Sequence, residues 1–574
     1  MVEKKEVIDW KKAIEDAKAE REATGLHGRM DQDRLLVELA KYTLQDVNNK
    51  DVPNSISVTL NDPGVFATNV ESALSNASEQ IEAESEDKSL DTAYIEDLVR
   101  ASFASANSRL VKGGKWPLNP FLDQQMCRRG RGAARVLFRI DKKTNTLITD
   151  IGEWDSRFVY CKVGPDGLEW AAYESWRKKG LIKAAYPKAD ITGADDDEGM
   201  VWDILDKEKE QIWVDEVHAF EQKYPHPYNH VPVVIQLVPM GSMLADKESL
   251  SHQGESIFFL IRDLVPELNR LVSIIQSLNL KALDNALLWK SEKGIEATPP
   301  KYSKLTKPGS MTATDIGGGA EPVAYGELKR SAYLLHTMIE TRIQRGSLSN
   351  LDLGIMGNQP WSAVALIEIG EGRDQVFLPR LGARGLLKQQ IAEMIIEQII
   401  STGASSVEIG SRGHKRSFNV SKLQGAYEIA FNYFIKSPKT DVARFSMATA
   451  AGNLISEKAK RRDILQREDP EEDERQLRWE AAERLSPAIK MNRTIKSLVE
   501  MAKRGDKDAL FEAEILSAEM GMNLKQMIAG DTKQIPKPGK EEAPQPLVPL
   551  FGGGAAGRKA PQPPAGLGEG EGEE

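Results

Sequence analysis

The sequence predicts an α+β protein in which helices and strands occupy separate stretches of the chain. Apolar residues recur at spacings of three and four through much of the first 110 residues and again after residue 255, a pattern typical of helices. From about residue 133 the pattern changes to alternation, as in residues 135–140, which is typical of strands. We therefore expect a largely antiparallel β domain with helices before and after it.

Composition indicates a folded protein of several domains. The chain has 574 residues, a net charge of −10, and 40% hydrophobic residues. At roughly 150 residues per domain, this length accommodates about three or four domains. The longest apolar runs span a few residues, far short of the roughly 20 that a membrane-spanning helix needs. We expect no membrane partner.

Cysteine content and charge exclude further classes of protein. Two cysteines, Cys127 and Cys161, exclude a disulfide framework and a Cys-rich zinc module, which favours a reducing compartment. The N-terminus lacks the apolar segment of a secretory signal. An acidic protein is not expected to grip DNA tightly through phosphates. It can still guide DNA past a surface to which the DNA must not stick.

The N-terminal elements are predicted to be helices separated by polar breaks. Residues 1–50 form an N-terminal helical segment, in which Trp10, Ile14 and Ala17 recur at spacings of four and three. A turn-rich break follows at 51–63, and further helices are expected at about 64–83 and 90–110. Together with the β domain, these helices make up a region from 51 to 254.

The β domain, from about 117 to 240, is predicted to consist of short strands joined by turns. The expected strands begin at about 133 and continue at 146–151, 158–163, 168–176, 211–220 and 231–238. The sequence Gly164-Pro165-Asp166-Gly167 is a hairpin-type turn between two of them.

Beyond residue 254 the sequence predicts two helices separated by a small insert. The first helix spans 255–283, and Pro266 is expected to bend or break it. The insert at 284–326 is rich in Pro, Gly, Thr and Ser, with two candidate strands at 286–289 and 322–325. The second helix spans 327–346.

The rest of the chain is predicted to be mostly helical. A loop at 347–360 contains two glycines and Pro360. A long helix from 361 is expected to be kinked by its glycines and Pro379, and strands near 415–421 and 426–436 complete a region that ends at 440. Helices are expected over 441–530. The tail at 531–574 is dominated by Pro, Gly, Ala and Glu, and we expect it to be disordered.

The sequence offers no catalytic motif. Neither Gly-Lys pair is followed by the Ser or Thr of a P-loop, and there is no Gly-x-Ser-x-Gly elbow. The glycine run 317–319 follows no apolar strand and is interpreted as a flexible loop. We therefore expect no enzyme and no cofactor.

Candidate metal ligands and nucleophiles are also weak. Pro227 prevents a helix that would align His226 with His230, and the acidic run 195–198 lacks the alternating spacing of a calcium loop. The acidic run is better interpreted as a solvated loop. Cys127 adjoins arginines that could lower its pKa, but no histidine partner is suggested, so a structural role is favoured.

A basic cluster follows Cys127. It contains Arg128, Arg129 and Arg131, with Arg135 and Arg139 further along. These side chains could contact phosphate or could pair with acidic residues of a neighbouring copy. The acidic total of the chain favours the second alternative.

The order of these parts resembles that of portal proteins of tailed double-stranded DNA bacteriophages, over about residues 50–500. No single motif is diagnostic, and the plan of helix, insert, helix, loop and long helix carries most of the weight. The local sequences that contribute to the resemblance are Val58-Thr59-Leu60-Asn61-Asp62-Pro63, Trp154-Asp155-Ser156-Arg157-Phe158-Val159-Tyr160, His230-Val231-Pro232-Val233-Val234, the helix around 255–269, Leu454-Ile455-Ser456-Glu457-Lys458-Ala459 with Asp463-Ile464-Leu465, and Asp469-Pro470-Glu471 with Glu480.

The resemblance implies a homo-oligomeric ring, usually of twelve copies, at one vertex of the capsid. It implies a β-rich wing at 51–254, stem helices at 255–283 and 327–346, a clip at 284–326 and a tunnel loop at 347–360. It further implies a long kinked wing helix with following strands at 361–440 and a helical crown at 441–530. The implied localisation is the virion, with the host cytoplasm during assembly.

The resemblance also implies partners and contact residues. The partners are double-stranded DNA passing through the channel, the terminase large subunit, the tail adaptor, and the major capsid and scaffolding proteins. The tunnel-loop residues that would face DNA are Asn350, Leu351, Asp352, Leu353, Ile355, Met356 and Asn358. The clip residues that would contact the motor and adaptor are Trp289, Lys290, Lys301, Tyr302 and Lys304.

Three alternatives remain open at this point. Another ring-forming virion adaptor would also lack catalysis, but such proteins are usually far shorter. A metal-dependent hydrolase or nuclease would use the acidic run 195–198 or the histidines 226 and 230. A helical scaffold without DNA contact would form a solid particle instead of a ring with a channel.

Overall fold

The structure is a computed structural model that describes residues 9–141, 146–224, 228–283, 287–291, 318–322, 330–347, 363–411, 414–434, 438–503 and 507–519. Helices and antiparallel sheets occupy separate stretches of these residues, which confirms the predicted α+β class. Residues up to 474 and residues from 475 onward form two compact units, which are described separately.

Helices dominate both ends of the described chain. Those of seven or more residues are α1 (Trp10–Ala23), α2 (Leu26–Val37), α3 (Asp62–Ser75), α4 (Thr92–Lys112), α5 (Leu118–Arg128), α6 (Lys179–Ala185), α7 (Leu264–Leu283), α8 (Arg330–Gly346), α9 (Ala363–Ser401), α10 (Pro438–Ala450), α11 (Pro470–Leu485), α12 (Pro487–Lys503) and α13 (Lys507–Glu519).

The described strands fall into two sheets in the middle of the chain and three two-stranded ladders. They are β1 (Ser78–Glu84), β2 (Arg131–Asp141), β3 (Thr146–Trp154), β4 (Val159–Gly164), β5 (Gly167–Lys178), β6 (Glu198–Asp206), β7 (Lys209–Val214), β8 (Val217–Lys223), β9 (Val233–Leu237), β10 (Leu287–Lys290), β11 (Gly319–Pro322), β12 (Ser406–Ser411), β13 (His414–Asn419) and β14 (Glu428–Phe434).

The central β domain is antiparallel, as the alternating pattern predicted. One sheet has the strand order β3-β2-β9, and the other runs β4-β5-β6-β7-β8 as a meander. The predicted hairpin turn joins β4 to β5, with Gly164 paired to Gly167. The predicted strand at 211–220 is two strands, which turn at Asp215 with φ +51°. Strand β6 was not predicted, and it begins at Glu198, the last residue of the acidic run.

The predicted helix at 64–83 is wrong in its second half. Helix α3 ends at Ser75, and β1 follows as a strand that pairs with β14 from Ser78 opposite Phe434 to Glu84 opposite Glu428. The partner strand lies about 350 residues away in sequence. Such distant pairing overrides the local helical preference of this segment.

The long helix α9 connects two apolar clusters. Phe377 and Leu381, near its middle, belong to a cluster with α3, α7 and α8. Leu387, Ile391 and Ile395, further along, belong to a larger cluster with α4, β1, β2 and β14. Helix α9 therefore fixes the position of the α7–α8 pair relative to the β domain, within the unit that ends at residue 474.

A polar cluster is buried beneath α9. Arg384 contacts both carboxylate oxygens of Asp123 at 2.6 and 2.7 Å, and Lys388 contacts both carboxylate oxygens of Glu79 at 2.6 Å. The Arg384 guanidinium also lies 4.0 Å from the ring centre of Tyr433. Burial lowers the pKa of Lys388 to about 8 in spite of Glu79. Each buried cation thus has a carboxylate partner from a different element.

The first predicted stem helix begins later than expected. Helix α7 begins at Leu264 instead of residue 255, so Pro266 lies in its first turn and does not interrupt it. A proline in the first turn removes no intrahelical hydrogen bond, because the N–H groups there have no partner within the helix. The second predicted helix is described from Arg330 to Gly346.

The predicted insert strands are present as an antiparallel pair. Strand β10 lies one residue from the expected 286–289, and β11 lies three residues before the expected 322–325. In the C-terminal part of the chain, β13 and β14 match the predicted strands closely, and β12 was not predicted. The tail 531–574 lies outside the described residues.

The unit that begins at residue 475 contains α12 and α13. Their contact buries Ile495, Val499 and Ala513. Arg493 donates a hydrogen bond to the carbonyl of Trp479 at 3.1 Å and forms an ion pair with Glu483 at 2.8 Å. This small apolar cluster accords with the helices predicted over 441–530.

The N-terminal helices α1 and α2 pack on the five-stranded sheet. Trp10 contacts Trp170 edge-on at 5.8 Å, and the buried His27 contacts Tyr160 in the same way at 5.8 Å. Burial and the nearby Arg157 lower the pKa of His27 to about 3. The imidazole is therefore neutral in the folded protein at neutral pH.

This burial predicts a pH dependence of stability. Between pH 6.5 and 3 the unfolded chain binds a proton at His27 that the folded chain excludes, so stability should fall as pH falls, by up to about 1.4 kcal/mol per pH unit. The substitution His27→Phe keeps an aromatic ring and should remove this pH-dependent loss of stability. Urea denaturation at pH 7 and pH 5 measures it, with His218→Phe, at a site that is 40% exposed, as the control. Equal losses in the wild type and His27→Phe would contradict the prediction.

Candidate functional site

The helices α7 and α8 form an antiparallel pair. Ile339 and Ile343 of α8 lie in the same apolar cluster as Val265 and Leu268 of α7. At the end of α8, Gly346 packs so closely on the residues before α7 that an added Cβ would lie 2.8 Å from Ile261. The C-terminus of α8 therefore lies beside the N-terminus of α7, and the β10–β11 hairpin belongs to the segment that connects their opposite ends.

A polar row on α7 binds an N-terminal segment. Asn269, Ser273 and Ser277 are four residues apart and are buried. Their side chains accept hydrogen bonds of 3.0, 2.8 and 2.9 Å from the backbone N–H groups of Leu60, Val58 and Ile56, respectively. Four helical residues rise about 6 Å, close to the length of two extended residues, so the two periods match. Residues 55–60 are thereby fixed along α7.

The outer face of α8 is apolar and exposed. On the helical wheel, Leu334 and Met338 lie opposite the buried Ile339 and Ile343, and each is 59% exposed. Tyr333, at 58% exposure, lies about 100° further around the helix and is not part of this surface. Contiguous exposed apolar side chains on one helix face mark interaction surfaces more often than isolated ones do. We call Leu334 and Met338 the outer α8 face.

The paired helices differ in charge from the rest of the chain. Over Leu264–Leu283 and Arg330–Gly346 there are five basic residues and two acidic ones, although the whole chain carries a net charge of −10. Arg342 and Arg345, in the last turns of α8, are exposed. The pair is therefore locally basic within an acidic chain.

The predicted clip residues are only partly described. Trp289 is half-buried on β10, and Lys290 beside it forms an ion pair with Glu321 of β11 across the hairpin. Lys301, Tyr302 and Lys304 lie outside the described residues. The predicted tunnel-loop residues Asn350, Leu351, Asp352, Leu353, Ile355, Met356 and Asn358 also lie outside them.

Arg128 and Arg129 of the basic cluster after Cys127 contact residues of their own chain. Arg128 binds Glu71 through two hydrogen bonds of 2.7 and 2.9 Å. The buried Arg129 donates to the carbonyl of Met30 at 2.9 Å and contacts Asp155 at 3.2 Å. The sequence favoured acidic partners from a neighbouring copy, but for these two arginines the partners belong to the same chain. The fold brings these acids from distant parts of the sequence, so local patterns could not identify them.

The remaining arginines of the cluster have different surroundings. Arg135 and Arg139 share Asp150, at 3.1 and 2.6 Å, and both also contact Glu210. Arg131 is buried and donates one hydrogen bond, of 3.3 Å, to the carbonyl of Gln253. No ion pair joins Arg131 to any acid among the described residues. Contacts of Arg128, Arg129 and Arg131 with phosphate stay a prediction, and burial limits access to the last two.

A buried ionic cluster anchors the start of α7. Arg262 donates hydrogen bonds of 2.7 and 3.0 Å to Asp33 and one of 2.6 Å to Glu255. Arg29 lies 3.5 Å from Glu255 and donates to the carbonyls of Ser251 and Gly254. Burial alone would lower the pKa of Arg262, but the hydrogen bonds to both carboxylates raise it above its ordinary value. The cluster links α2 to the start of α7.

The other described candidates from the sequence are buried or paired within the chain, and His226 lies outside the described residues. Cys127 is fully buried, which raises the pKa of its thiol. Asp195 and Asp196 pair with Lys183 and Lys178, and His230 contacts Glu397 at 2.8 Å through Nδ1. Among the described residues, no three His, Cys, Asp or Glu side chains are grouped to hold a metal ion. The described helices include none that could cross a membrane.

Comparison with known proteins leaves the family open. No known protein family matches the sequence, and no curated protein matches it. The chain is similar to a chain in the virion of a native gene transfer agent particle, with 12% identity, a TM-score of 0.36, and coverage of 70% of this chain and 88% of that one. A chain in the neck of an empty particle of this kind, with C6 symmetry, is 13% identical, with a TM-score of 0.33 and the same coverage. TM-scores below 0.5 at such identities establish neither fold nor function.

Proposed function

We propose that this protein is a portal protein, which forms the ring-shaped channel at one capsid vertex through which viral DNA is packaged and later ejected. The observation that carries the proposal is the α7–α8 pair, whose inner faces pack on their own chain while the outer α8 face stays exposed. A ring needs a heterologous contact of this kind, in which one face of each subunit meets a different face of the next.

The charge of the paired helices supports a position beside DNA. Five basic residues against two acidic ones give a weak local attraction for phosphates within an acidic chain. Strong attraction would hold the DNA, whereas repulsion would oppose its entry. A modest positive balance on the channel helices suits DNA that must move in both directions.

The proposed partners are those that the resemblance to portal proteins implies. The insert with Trp289 and Lys290 connects α7 to α8, and the terminase large subunit and later the tail adaptor would dock on it. The helices after residue 441 would face the capsid interior. The major capsid and scaffolding proteins would surround the ring at the vertex.

A second candidate is another ring-forming head–tail adaptor of the virion. The outer α8 face would serve that ring equally well, so docking to the packaging motor separates the two candidates. The chain should bind the terminase large subunit, and deletion of 292–317 from the insert should abolish that binding. Binding of a tail protein alone, with no binding of the motor, would favour the adaptor. The metal-dependent hydrolase receives no support from the carboxylates at 195 and 196, which pair with lysines.

DNA packaging tests the proposal. Capsids assembled with this protein should take up DNA when the motor and ATP are added, and capsids assembled without it should not. The readout is the length of nuclease-protected DNA. Equal protection in both preparations would overturn the portal assignment.

The loop at 347–360 provides a test of the DNA path. The loop has no Lys or Arg and one charged residue, Asp352. Lysines introduced in every subunit of a ring would bind phosphates strongly and slow translocation. We expect Asp352→Lys with Asn358→Lys to leave rings intact and to shorten the packaged DNA, more severely at low salt. Asp352→Asn with Asn358→Gln serves as the control, and normal packaging by the lysine variant at both salt concentrations would remove the loop from the DNA path.

A further inference from the structure

A cavity of about 610 Å³ lies between α1, the β4–β5 hairpin and the strands β2 and β9. Its lining includes Glu20, Arg21, Arg131, Cys161, Asp166 and His230. None of them touches the outer α8 face, and no step of the proposed packaging function uses them. The cavity therefore requires its own explanation.

Two guanidinium groups in this cavity lack acidic partners. The exposed fraction of Arg131 is 8%, and its Nε has no hydrogen-bond acceptor. Its one hydrogen bond, to the carbonyl of Gln253, is long at 3.3 Å. Arg21 places one Nη in contact with the Cys161 sulfur at 3.6 Å, and its other Nη is buried without an acceptor.

The surroundings do not neutralise these charges. The acids that line the cavity, Glu20 and Asp166, are exposed, and no ion pair joins either to Arg21 or Arg131. Burial and the nearby Arg21 and Arg29 lower the pKa of Arg131 to about 9. An isolated buried cation is costly unless an anion pairs with it. The other arginines of the same cluster each have a carboxylate partner, so Arg131 is the exception among them.

We propose that this cavity binds a carboxylate group, held by the guanidiniums of Arg131 and Arg21. A guanidinium presents parallel N–H groups that match the two oxygens of a carboxylate. Arg131 and Arg21 both line the cavity, and each carries a buried N–H group without an acceptor. His230 is held neutral, since burial lowers its pKa, and its buried Nε2 offers an acceptor to a hydroxyl group on the same ligand.

The carboxylate can come from a small dicarboxylate in solution or from an acidic side chain of a neighbouring subunit. The small-molecule source is independent of the proposed portal function, whereas the neighbour source rests on the ring. Both sources use the same contacts with Arg131 and Arg21. They differ in whether the cavity remains available once the ring has formed.

Thermal denaturation with sodium succinate tests the proposal. The unfolding temperature of the wild type should rise saturably with succinate relative to sodium chloride of equal ionic strength, and neutral succinamide should have no effect. Arg131→Met should weaken the succinate response by about tenfold or more, as expected for the loss of a charge-assisted pair. Without succinate this variant should be as stable as the wild type, because methionine removes an uncompensated buried charge.

Two further variants control the experiment. Arg21→Met should also weaken the response, and it keeps the test intact if Arg131→Met does not fold. Arg177→Met removes an arginine that already pairs with Asp203 at 3.0 Å, and it should leave the response unchanged. A succinate response equal in the wild type, Arg131→Met and Arg21→Met would overturn the proposal.

Gel filtration of the same variants separates the two sources. If the carboxylate comes from a small molecule, assembled wild-type protein binds succinate and Arg131→Met assembles normally. If it comes from a neighbouring subunit, assembled protein does not respond to succinate and Arg131→Met assembles less well. Absence of any succinate response together with normal assembly of Arg131→Met would overturn the carboxylate site and leave the proposed ring untouched.

Discussion

Replacing Leu334→Glu and Met338→Glu together is expected to abolish the ring while the subunit stays folded. Both side chains are 59% exposed on the face of α8 opposite its own apolar contacts, so their loss removes little from the isolated subunit. In a ring, each glutamate would be buried against a neighbour without a partner, at a cost of several kcal/mol per contact. Sedimentation velocity should show a shift from ring to monomer, with an unchanged unfolding temperature for the monomer.

A matched pair of variants controls for surface hydrophobicity in general. Val111→Glu with Leu181→Glu alters two side chains that are 56% and 69% exposed, on α4 and α6. These changes should leave both assembly and folding close to those of the wild type. Rings of normal size from the Leu334→Glu, Met338→Glu variant would show that the outer α8 face is not the subunit contact.

Replacing Arg262→Met is expected to cause the largest loss of stability of any single substitution considered. The change leaves the buried carboxylates of Asp33 and Glu255 without the guanidinium that donates three hydrogen bonds to them. Breaking a buried ion pair by removing one partner costs about 3–5 kcal/mol. Because this cluster fixes the start of α7, local hydrogen exchange at 255–268 should also become faster.

The control for this prediction is an exposed ion pair at the end of α2, the helix that carries Asp33. Arg34 contacts Glu38 at 2.7 Å, and both side chains are about half exposed. Arg34→Met should cost no more than about 1 kcal/mol, as for other surface pairs. Urea denaturation gives both values. If Arg262→Met were no more destabilising than Arg34→Met, the ionic cluster would not anchor α7.

Much of the fold could be predicted from local patterns in the sequence. The alternating residues and the turn at Gly164–Gly167 predicted the antiparallel sheets, because a two-residue period and turn residues act over short distances. The same holds for the helix pair 264–283 and 330–346 and for the hairpin between them. The position of Pro266 could have indicated the later start of α7, because proline is favoured in a first helical turn.

Features that depend on distant partners could not be predicted in this way. Strand β1 exists because β14 pairs with it, and Arg128 is neutralised by Glu71, which is 57 residues away. The row Asn269, Ser273 and Ser277 did carry a signal, since polar residues four apart within an apolar helix indicate a buried polar contact. Its partner, the backbone of residues 55–60, gives no matching signal in its side chains.

The candidate site was predicted only in part. The sequence indicated the two helices and the insert, but it did not identify the outer α8 face. The reason is that Leu334 and Met338 have the same apolar character as Ile339 and Ile343, and only the structure shows that the first two are exposed and the last two buried. No feature of the sequence distinguishes Arg131, which has no acidic partner among the described residues, from its neighbours Arg128 and Arg129, which have one.

Electron microscopy of the purified full-length protein tests the central claim most directly. The portal assignment predicts closed rings with a central channel wide enough for duplex DNA, lined by α7 and α8. Class averages showing monomers or solid particles without a channel, at concentrations where the protein is otherwise folded, would contradict it.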